Sequence, residues 1–235
     1  MDCVLDRSFS WFGRVQQLPS GREVVKVFRA SMLACARVRE FSIRRDHRRK
    51  LAMEKKWRTI GTETLLKDRW INLRADCCVT PEGREINPYY VLTYPEWVHI
   101  VAITEDGCLV LVRQYRHAAG EFFTEIPAGA VENTDDDIEQ AARRELEEET
   151  GFTARSWKRV STLHPNPASH TNRVHIYLAL DAICDRQQRL EHGEEGLSVH
   201  VVPIPQVLAK LPAGFIGQAM HVASVLLALK VAGHL

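Results

Sequence analysis

The most informative segment of the chain is RRELEEETGF, residues 143 to 152, in which four glutamates fall within five positions. Like charges three or four residues apart destabilise a helix, by roughly 0.2–0.5 kcal/mol per pair. At ~100° per residue, Glu145, Glu148 and Glu149 share one helical face, whereas Glu147 lies opposite Glu149 and is expected to face solvent. The shared face is either a solvated acidic surface or a site whose carboxylates a divalent cation neutralises. Oxygen ligands alone favour Mg²⁺, with Mn²⁺ as an alternative.

Short β-like runs and turn residues surround this helix, which is predicted over 138–150 with helix-start carboxylates before it and Gly151 as its C-cap. This order of elements predicts an α+β domain with α/β/α layers. The predicted strands are 58–68, 70–80, 86–94, 96–104, 108–116, 121–127, 155–163 and 174–182, and the predicted closing helices are 203–211 and 216–232.

The residues from Gly129 to Phe152 resemble the Nudix box: a glycine, five residues, a glutamate, seven residues, then Arg-Glu-apolar-x-Glu-Glu-x-Gly-apolar. The second half is complete from Arg144 onward. In the first half, seven residues separate Asp136 from Arg144, so aspartate stands where glutamate is usual, and Gly129 is one position too far upstream. The loop is therefore expected to carry one extra residue, which a loop absorbs cheaply. The resemblance covers roughly 58–232 and implies the Nudix fold, with a mixed β-sheet and an N-terminal antiparallel β extension.

The Nudix family hydrolyses a diphosphate linked to another group, with metal ions that neutralise phosphate charge and activate water. Carried over by position, the resemblance implies that Glu145 and Glu149 are metal ligands and that Glu148 is a further ligand or the base. Arg144 is expected to be held against a neighbouring carboxylate and to orient this face. The backbone carbonyl of Ala128 is an expected extra ligand. The predicted catalytic set is Arg144, Glu148 and Glu149.

The sequence EIPAGAVE, residues 125 to 132, and the strand before it resemble the ADP-ribose and nucleoside-diphosphate-sugar pyrophosphatases. This resemblance implies hydrolysis of such a sugar to a nucleoside monophosphate and a sugar phosphate. Arg113 and Arg116 are expected to clamp phosphates, as arginine does bidentately, although Arg116 equally fits a surface charge. Glu125 is a candidate outer metal ligand or ribose contact, or an edge-strand charge.

The same subgroup forms dimers in which N-terminal strands cross over and supply aromatic rings that stack on the nucleobase. A homodimer is therefore expected, with Trp70 and Tyr90 as the stacking candidates. Each of the two equally fits a core position on a strand. His221, in the closing helix, is predicted to be structural.

The general base is the weak point of the resemblance, because Asn172 stands where this subgroup commonly places a glutamate. An amide does not accept a proton at neutral pH. The base would then be Glu148, Glu195 or the loop residue His170, whose ordinary pKa suits the role. Two alternatives stay open: a pyrophosphatase that removes nucleoside triphosphates, and a nucleotide-sugar sensor that has lost turnover.

Residues 1–52 carry twelve Lys/Arg and five Asp/Glu, while the rest of the chain has an acidic balance. This basic extension fits a nucleic-acid-binding arm, an organelle transit peptide, or a dispensable segment upstream of a start at Met53. The predicted Nudix domain is 53–235, with N-terminal strands in 58–93 and the core in 97–232.

No apolar run is long enough to span a membrane, and the six cysteines form no CxxC pair. A cytoplasmic protein without a membrane or nucleic-acid partner is expected, with organelle targeting by residues 1–52 left open.

Overall fold

The computed structural model describes residues 55–235, so the predictions for residues 1–52 lie outside the described residues. The described chain folds into two β-sheets and three α-helices. No helix in this range is long and apolar enough to cross a membrane. The strands are β1 Arg58–Lys67, β2 Asn72–Val79, β3 Glu85–Leu92, β4 Trp97–Thr104, β5 Cys108–Arg116, β6 Glu121–Glu125, β7 Ala128–Ala130, β8 Phe152–Leu163, β9 Val174–Cys184 and β10 Ser198–Pro203. The helices are α1 Ile138–Thr150, α2 Ile204–Lys210 and α3 Ala219–Ala232.

The larger sheet is mixed and has the order β10-β5-β4-β9-β8, with β6 paired to β5 and β7 paired to β4. Strand β4 runs parallel to β9, and the other pairs are antiparallel. Successive side chains of a strand face opposite sides. On β4, Val98, Ile100 and Ala102 pack in the same core cluster as α1, whereas Val101 and Ile103 pack in the cluster of α2 and α3. The sheet therefore lies between helices, and the predicted α/β/α fold is confirmed.

Helix α1 has the predicted bounds because both of its ends are capped. The Asp137 carboxylate accepts a hydrogen bond from the Gln140 backbone N–H at 2.8 Å, and Gly151 adopts the left-handed conformation with φ of 72°. Asparagine or glycine is favoured at such a C-cap because other side chains are strained there. Ala141, Ala142 and Leu146 are buried between the helix and the sheet. This packing determines which face of α1 lies at the edge of the sheet.

Two short strands, β7 and β10, were not predicted. Three-residue β7 lies inside the loop after β6 and pairs with β4. The polar and turn-forming residues around it show no alternation of apolar and polar positions, which is the pattern that predicts a strand. Strand β10 pairs with β5 over its whole length, and its sequence SVHVVP runs directly into α2.

The smaller sheet is the expected N-terminal antiparallel extension, in the order β1-β2-β3. All residues of β1 are exposed, including Ile60, Leu65 and Leu66. The sheet is joined to the loop after β8, because Leu92 N–H donates to Ser169 O at 2.7 Å.

Candidate active site

Three carboxylates converge beside the sheet edge. Glu145 and Glu149 project from α1, and Glu194 reaches them from the 3-10 turn His192–Glu194, between β9 and β10. One oxygen of each lies within 4.8 Å of the others. Glu194 was not predicted; the neighbouring Glu195 was, and Glu195 is exposed and outside this group.

Two of these carboxylates are buried, and the positive charge near them does not offset the cost of burying them. Glu145 is 8% exposed and Glu149 is 2% exposed. Burial raises the pKa of Glu145 to about 7. Burial, followed by the nearby charge of Glu145, raises the pKa of Glu149 well above its ordinary value. Three oxygen ligands that repel one another in a protected site fit a hard divalent cation such as Mg²⁺ or Mn²⁺, which relieves this cost when bound.

The PAG segment that precedes α1 shapes the cation site. The backbone N–H of Ala128 donates to Glu149 Oε2 at 3.1 Å. The Glu145 carboxylate lies so close to Gly129 that a Cβ atom there would overlap it. Glycine at this position therefore lets the Glu145 carboxylate approach the backbone closely, and a larger residue would displace that carboxylate.

Arg144 connects the carboxylates of this face, and neighbouring carboxylates hold it as predicted. Its guanidinium donates to both Asp135 oxygens at 3.0 and 3.1 Å and to the Ala130 carbonyl at 3.0 Å. It also donates to Glu145 Oε1 and Glu148 Oε2, each at 3.0 Å. The hydrogen bond from Arg144 lowers the pKa of Asp135 below its ordinary value.

The carboxylate that meets Arg144 is Asp135 and not Asp136. Five residues separate Asp135 from Gly129, so the first spacing of the box is regular and the extra residue falls between Asp135 and Arg144. Asp136 is exposed, and its backbone N–H donates to the Gln140 side chain. Three successive aspartates made this register ambiguous in the sequence.

A strap, residues 186–191, crosses the C-terminal end of α1 and leads to Glu194. Gln188 Nε2 donates to the Glu149 carbonyl at 2.6 Å, and Arg189 N–H donates to the Glu148 carbonyl at 2.9 Å. The last carbonyls of a helix have no partner inside it. The strap supplies those partners. These bonds hold the strap against the helix end, so the chain that follows it approaches the site from a defined position.

The Arg189 side chain adds a cation to this end of the helix. Its Nη2 atom donates to Glu147 Oε1 at 3.0 Å and lies 3.7 Å from Glu148 Oε1. The last turn of α1 has no basic residue of its own, so Arg189 complements the helix dipole. Glu148 is therefore held between Arg144 and Arg189, outside the group of three carboxylates, and its predicted roles as ligand and base stay predictions.

The two predicted phosphate clamps lie in different surroundings. Arg116 Nε donates to both Glu125 oxygens at 3.2 Å, and Glu125 is 2% exposed and also accepts from Gln114. The Arg113 guanidinium instead lies 4.7 Å from the centre of the Phe122 ring. An odd separation along a strand places two residues on opposite faces, so only Arg116 joins the Glu125 side of the sheet.

The aromatic candidates are not core residues. Trp70 is 71% exposed and stacks on Arg69, and Tyr90 is 55% exposed. The core interpretation of both is therefore wrong, and their stacking role stays a prediction.

The loop after β8 holds the other base candidates. The His170 ring contacts those of Tyr94 and Trp97, with centroids at 5.1 and 6.3 Å. Asn172 is 1% exposed, and its amide atoms have no hydrogen-bond partner among the described residues. Neither belongs to the carboxylate group, and the role of His170 as a base stays a prediction.

Comparison with known proteins agrees with this architecture. Residues 93–220 match the profile of the NUDIX domain, and residues 57–92 match that of the nucleoside diphosphate sugar hydrolase N-terminal domain. The chain is 30% identical over 173 residues to an ADP-ribose pyrophosphatase of Mycobacterium tuberculosis (strain ATCC 25618 / H37Rv), covering 74% of this chain and 83% of the relative. It is 29% identical over 138 residues to the ADP-ribose pyrophosphatase of Bacillus subtilis (strain 168), covering 58% and 74%.

Among solved structures, the crystal structure of an ADP compounds hydrolase superposes with a TM-score of 0.67 at 23% identity, covering 77% of this chain and 98% of that one. At this identity the likeness supports the fold. The profile match extends over more than half of the chain and includes α1 with its carboxylates. The chain therefore belongs to the NUDIX domain family.

Proposed function

We propose that this protein is a Mg²⁺-dependent hydrolase of ADP-ribose or a related nucleoside diphosphate sugar. The products are a nucleoside monophosphate and a sugar phosphate. The observation that carries the proposal is the convergence of Glu194 on Glu145 and Glu149. The N-terminal sheet matches a domain of nucleoside diphosphate sugar hydrolases, and the names of the relatives support ADP-ribose as the first substrate to test.

Glu145 and Glu149 would hold the cation, together with the Ala128 carbonyl implied by the family resemblance. A bound Mg²⁺ would neutralise phosphate oxygens and lower the pKa of water. Arg144 keeps this face in place through its bonds to Glu145 and Asp135. The predicted site thus combines ligands from one helix with a backbone segment held by Gly129.

Glu194 is the best candidate for the general base. It is half-buried, reaches the site from outside α1, and forms no ion pair with an arginine of residues 55–235; its carboxylate accepts the Glu191 backbone N–H at 2.9 Å. Water attacks one phosphorus atom, the bridging P–O bond breaks, and Glu194 accepts the proton that the water loses. This role answers the problem raised by Asn172, since the base comes from the 3-10 turn that follows the strap and not from the loop after β8.

Arg116 is placed to bind the diphosphate. Its side chain is 46% exposed while Glu125 holds one edge of the guanidinium. A fork fixed in this way loses little freedom when it binds a phosphate bidentately. Arg113, on the other face of β5, would need a different substrate contact.

We further propose a homodimer that uses the N-terminal sheet. The support is its exposed apolar surface, which a monomer rarely leaves uncovered. In a crossed dimer, Trp70 and Tyr90 could reach the nucleobase of a neighbouring site. Light scattering should then give twice the chain mass, and a monomeric mass would refute this arrangement. The apolar side chains are Trp57, Ile60, Leu65, Leu66, Trp70 and Tyr90.

The cytoplasm is proposed as the location because the four described cysteines are all free.

The activity is tested by incubating the full chain with ADP-ribose, ADP-glucose, GDP-mannose or dGTP, in Mg²⁺ or EDTA, and identifying products by chromatography. Mg²⁺-dependent release of AMP from ADP-ribose or ADP-glucose, lost in Glu149→Gln, is the expected result. Turnover of dGTP alone would favour the triphosphate alternative. Binding of nucleotide sugars without turnover would favour a sensor and refute the proposal.

A further inference from the structure

A cleft of about 290 Å³ lies beside the cation site and has a polar floor that the reaction described above does not use. Two of its lining residues, His99 on β4 and His221 on α3, are only 2% and 3% exposed. Their ring planes are inclined to each other by 55°, and the ring centroids are 4.4 Å apart. The other lining residues are Trp97, Val98, Arg116, Ala128, Gly129, Ala130, Gln218 and Met220.

The hydrogen bonds of His221 determine its tautomer. Its Nδ1 atom accepts the backbone N–H of Ile126 at 3.1 Å. A neutral imidazole carries one proton, so this proton must be on Nε2. No described residue accepts it. His221 therefore presents a fixed N–H donor to the cleft.

His99 has the opposite tautomer. The Ser224 hydroxyl donates to the Met220 carbonyl at 2.9 Å, so its oxygen accepts the bond at 2.9 Å from His99 Nδ1. The proton of His99 is consequently on Nδ1, and its Nε2 carries a free lone pair. No described residue donates to that lone pair. The adjacent rings thus offer one donor and one acceptor.

Both rings are uncharged. Burial lowers the pKa of His221 to about 3, with a smaller contribution from Arg116. Burial and then His221 lower the pKa of His99 well below its ordinary value, and Glu125 opposes this shift only weakly. For His221 the bond accepted from Ile126 N–H already requires the neutral ring, and the pKa shifts of both rings have the same direction.

A hydroxyl group satisfies this pair, because it accepts from one nitrogen and donates to the other. A phosphate offers only acceptors, so it would leave the lone pair of His99 facing an anion. An ammonium group would meet the N–H of His221. Neither charged group fits both atoms, whereas Trp97 and Met220 supply apolar wall for a sugar ring.

We propose that His99 and His221 form a hydroxyl-binding subsite for the sugar portion of the nucleoside diphosphate sugar. This inference rests on the proposed function for the identity of the substrate. A nucleobase edge also pairs a donor with an acceptor, but the cleft adjoins Ala128 and Gly129, where the diphosphate is expected. A sugar bonded directly to the diphosphate therefore fits the cleft better than a nucleobase does, and the probes below distinguish the sugar phosphate from the nucleoside.

His→Asn variants test the subsite, because asparagine keeps the structural bond and removes Nε2. In His221→Asn the new carbonyl can accept from Ile126 N–H, and in His99→Asn the new amide can donate to Ser224. The probes are ribose 5-phosphate and AMP, titrated into the full chain by NMR with inorganic phosphate as a reference. Each variant should lower the affinity for ribose 5-phosphate about three- to tenfold, as expected for one lost hydrogen bond. The affinities for phosphate and AMP should be unchanged.

Weaker binding of AMP with unchanged binding of ribose 5-phosphate would place the nucleoside in the cleft and overturn the assignment. Unchanged binding of all three probes would overturn it as well. These titrations need no turnover, so an inactive wild-type protein would refute the proposed function without deciding this one. If a variant does not fold, Ser224→Ala serves instead. It keeps both rings but frees the His99 proton to move to Nε2, and it should also weaken ribose 5-phosphate selectively.

Discussion

The carboxylate of Glu145 lies directly against Gly129, and a methyl group at position 129 would occupy the same space. Gly129→Ala should therefore displace Glu145 and lower Mn²⁺ affinity about 10- to 100-fold, the usual effect of moving a metal ligand. Electron paramagnetic resonance of free Mn²⁺ measures this directly. Gly61→Ala is the control, because its Cβ would meet only Cys77 at an ordinary distance of 3.8 Å. Unchanged affinity in Gly129→Ala would contradict the site geometry.

Glu194 and Glu195 are neighbours in sequence but differ in place, since only Glu194 joins Glu145 and Glu149. Glu194→Gln should lower kcat about 10²- to 10⁴-fold, the range of a general base. Glu195→Gln should change kcat less than about threefold, as is common for an exposed side chain. Steady-state hydrolysis of ADP-ribose compares them, and equal losses in the two variants would exclude Glu194 as the base.

Arg189 is expected to act on the reaction through the position of Glu194. Arg189→Ala removes the ion pair to Glu147 and loosens the strap, and kcat should fall about 10- to 100-fold with little change in KM. Arg189→Lys should restore part of the loss. The exposed Arg155→Ala, whose ion pair with Glu105 spans 3.9 Å, is the control.

A double-mutant cycle separates this positioning role from a general loss of stability. In the Glu194→Gln background, Arg189→Ala should have almost no further effect on kcat, because the group it positions is gone. Additive losses would mean that Arg189 supports the fold in general, and the positioning role would be abandoned.

The stabilisation that Mg²⁺ gives should grow as the pH rises. Burial raises the pKa of Glu145 from 4.5 to about 7 and raises that of Glu149 well above its ordinary value. In the metal-free protein the folded state then binds more protons than the unfolded state, so stability falls as pH rises from 4.5 through 7, by ~3 kcal/mol for Glu145. A cation removes this cost in the ionised protein.

Thermal unfolding with Mg²⁺ or EDTA at about pH 5.5 and about pH 8 checks this sign. The lowered pKa values of His99 and His221 act oppositely, since their contribution is lost as pH falls below 6.5. They contribute equally with and without Mg²⁺ and cancel in the difference. A Mg²⁺-induced shift in Tm that is larger at the lower pH would refute competition between protons and the cation.

The sequence predicted α1 and most of the sheet because their signals are local. Capping residues, strand alternation and the spacing of Glu145 and Glu149 all act over a few positions. Glu194 was beyond such reasoning, since only the hydrogen bonds of the strap decide which of two adjacent glutamates reaches the site. Asp135 was missed for a related reason: three successive aspartates look equivalent in the sequence, and only the folded chain brings Asp135 to Arg144.

The tautomers of His99 and His221 belong to the same class of missed features. Each depends on a hydrogen bond to a distant residue, Ser224 or Ile126, that no local pattern encodes. His221 was predicted to be structural, and its bond to the Ile126 backbone agrees with that prediction. The role of its second nitrogen could not be assigned from the sequence, because it depends on which nitrogen accepts that bond.

The strap also sets the order in which the active centre is assembled. Glu145 and Glu149 come into register as soon as α1 forms, but Glu194 arrives only after β8 and β9 have been added and the chain has returned across the helix end. Completion of the catalytic centre is thus a late event that depends on the finished sheet. In a refolding experiment, hydrolytic activity would return only after the burial of the core and would report that the last long-range connection had formed.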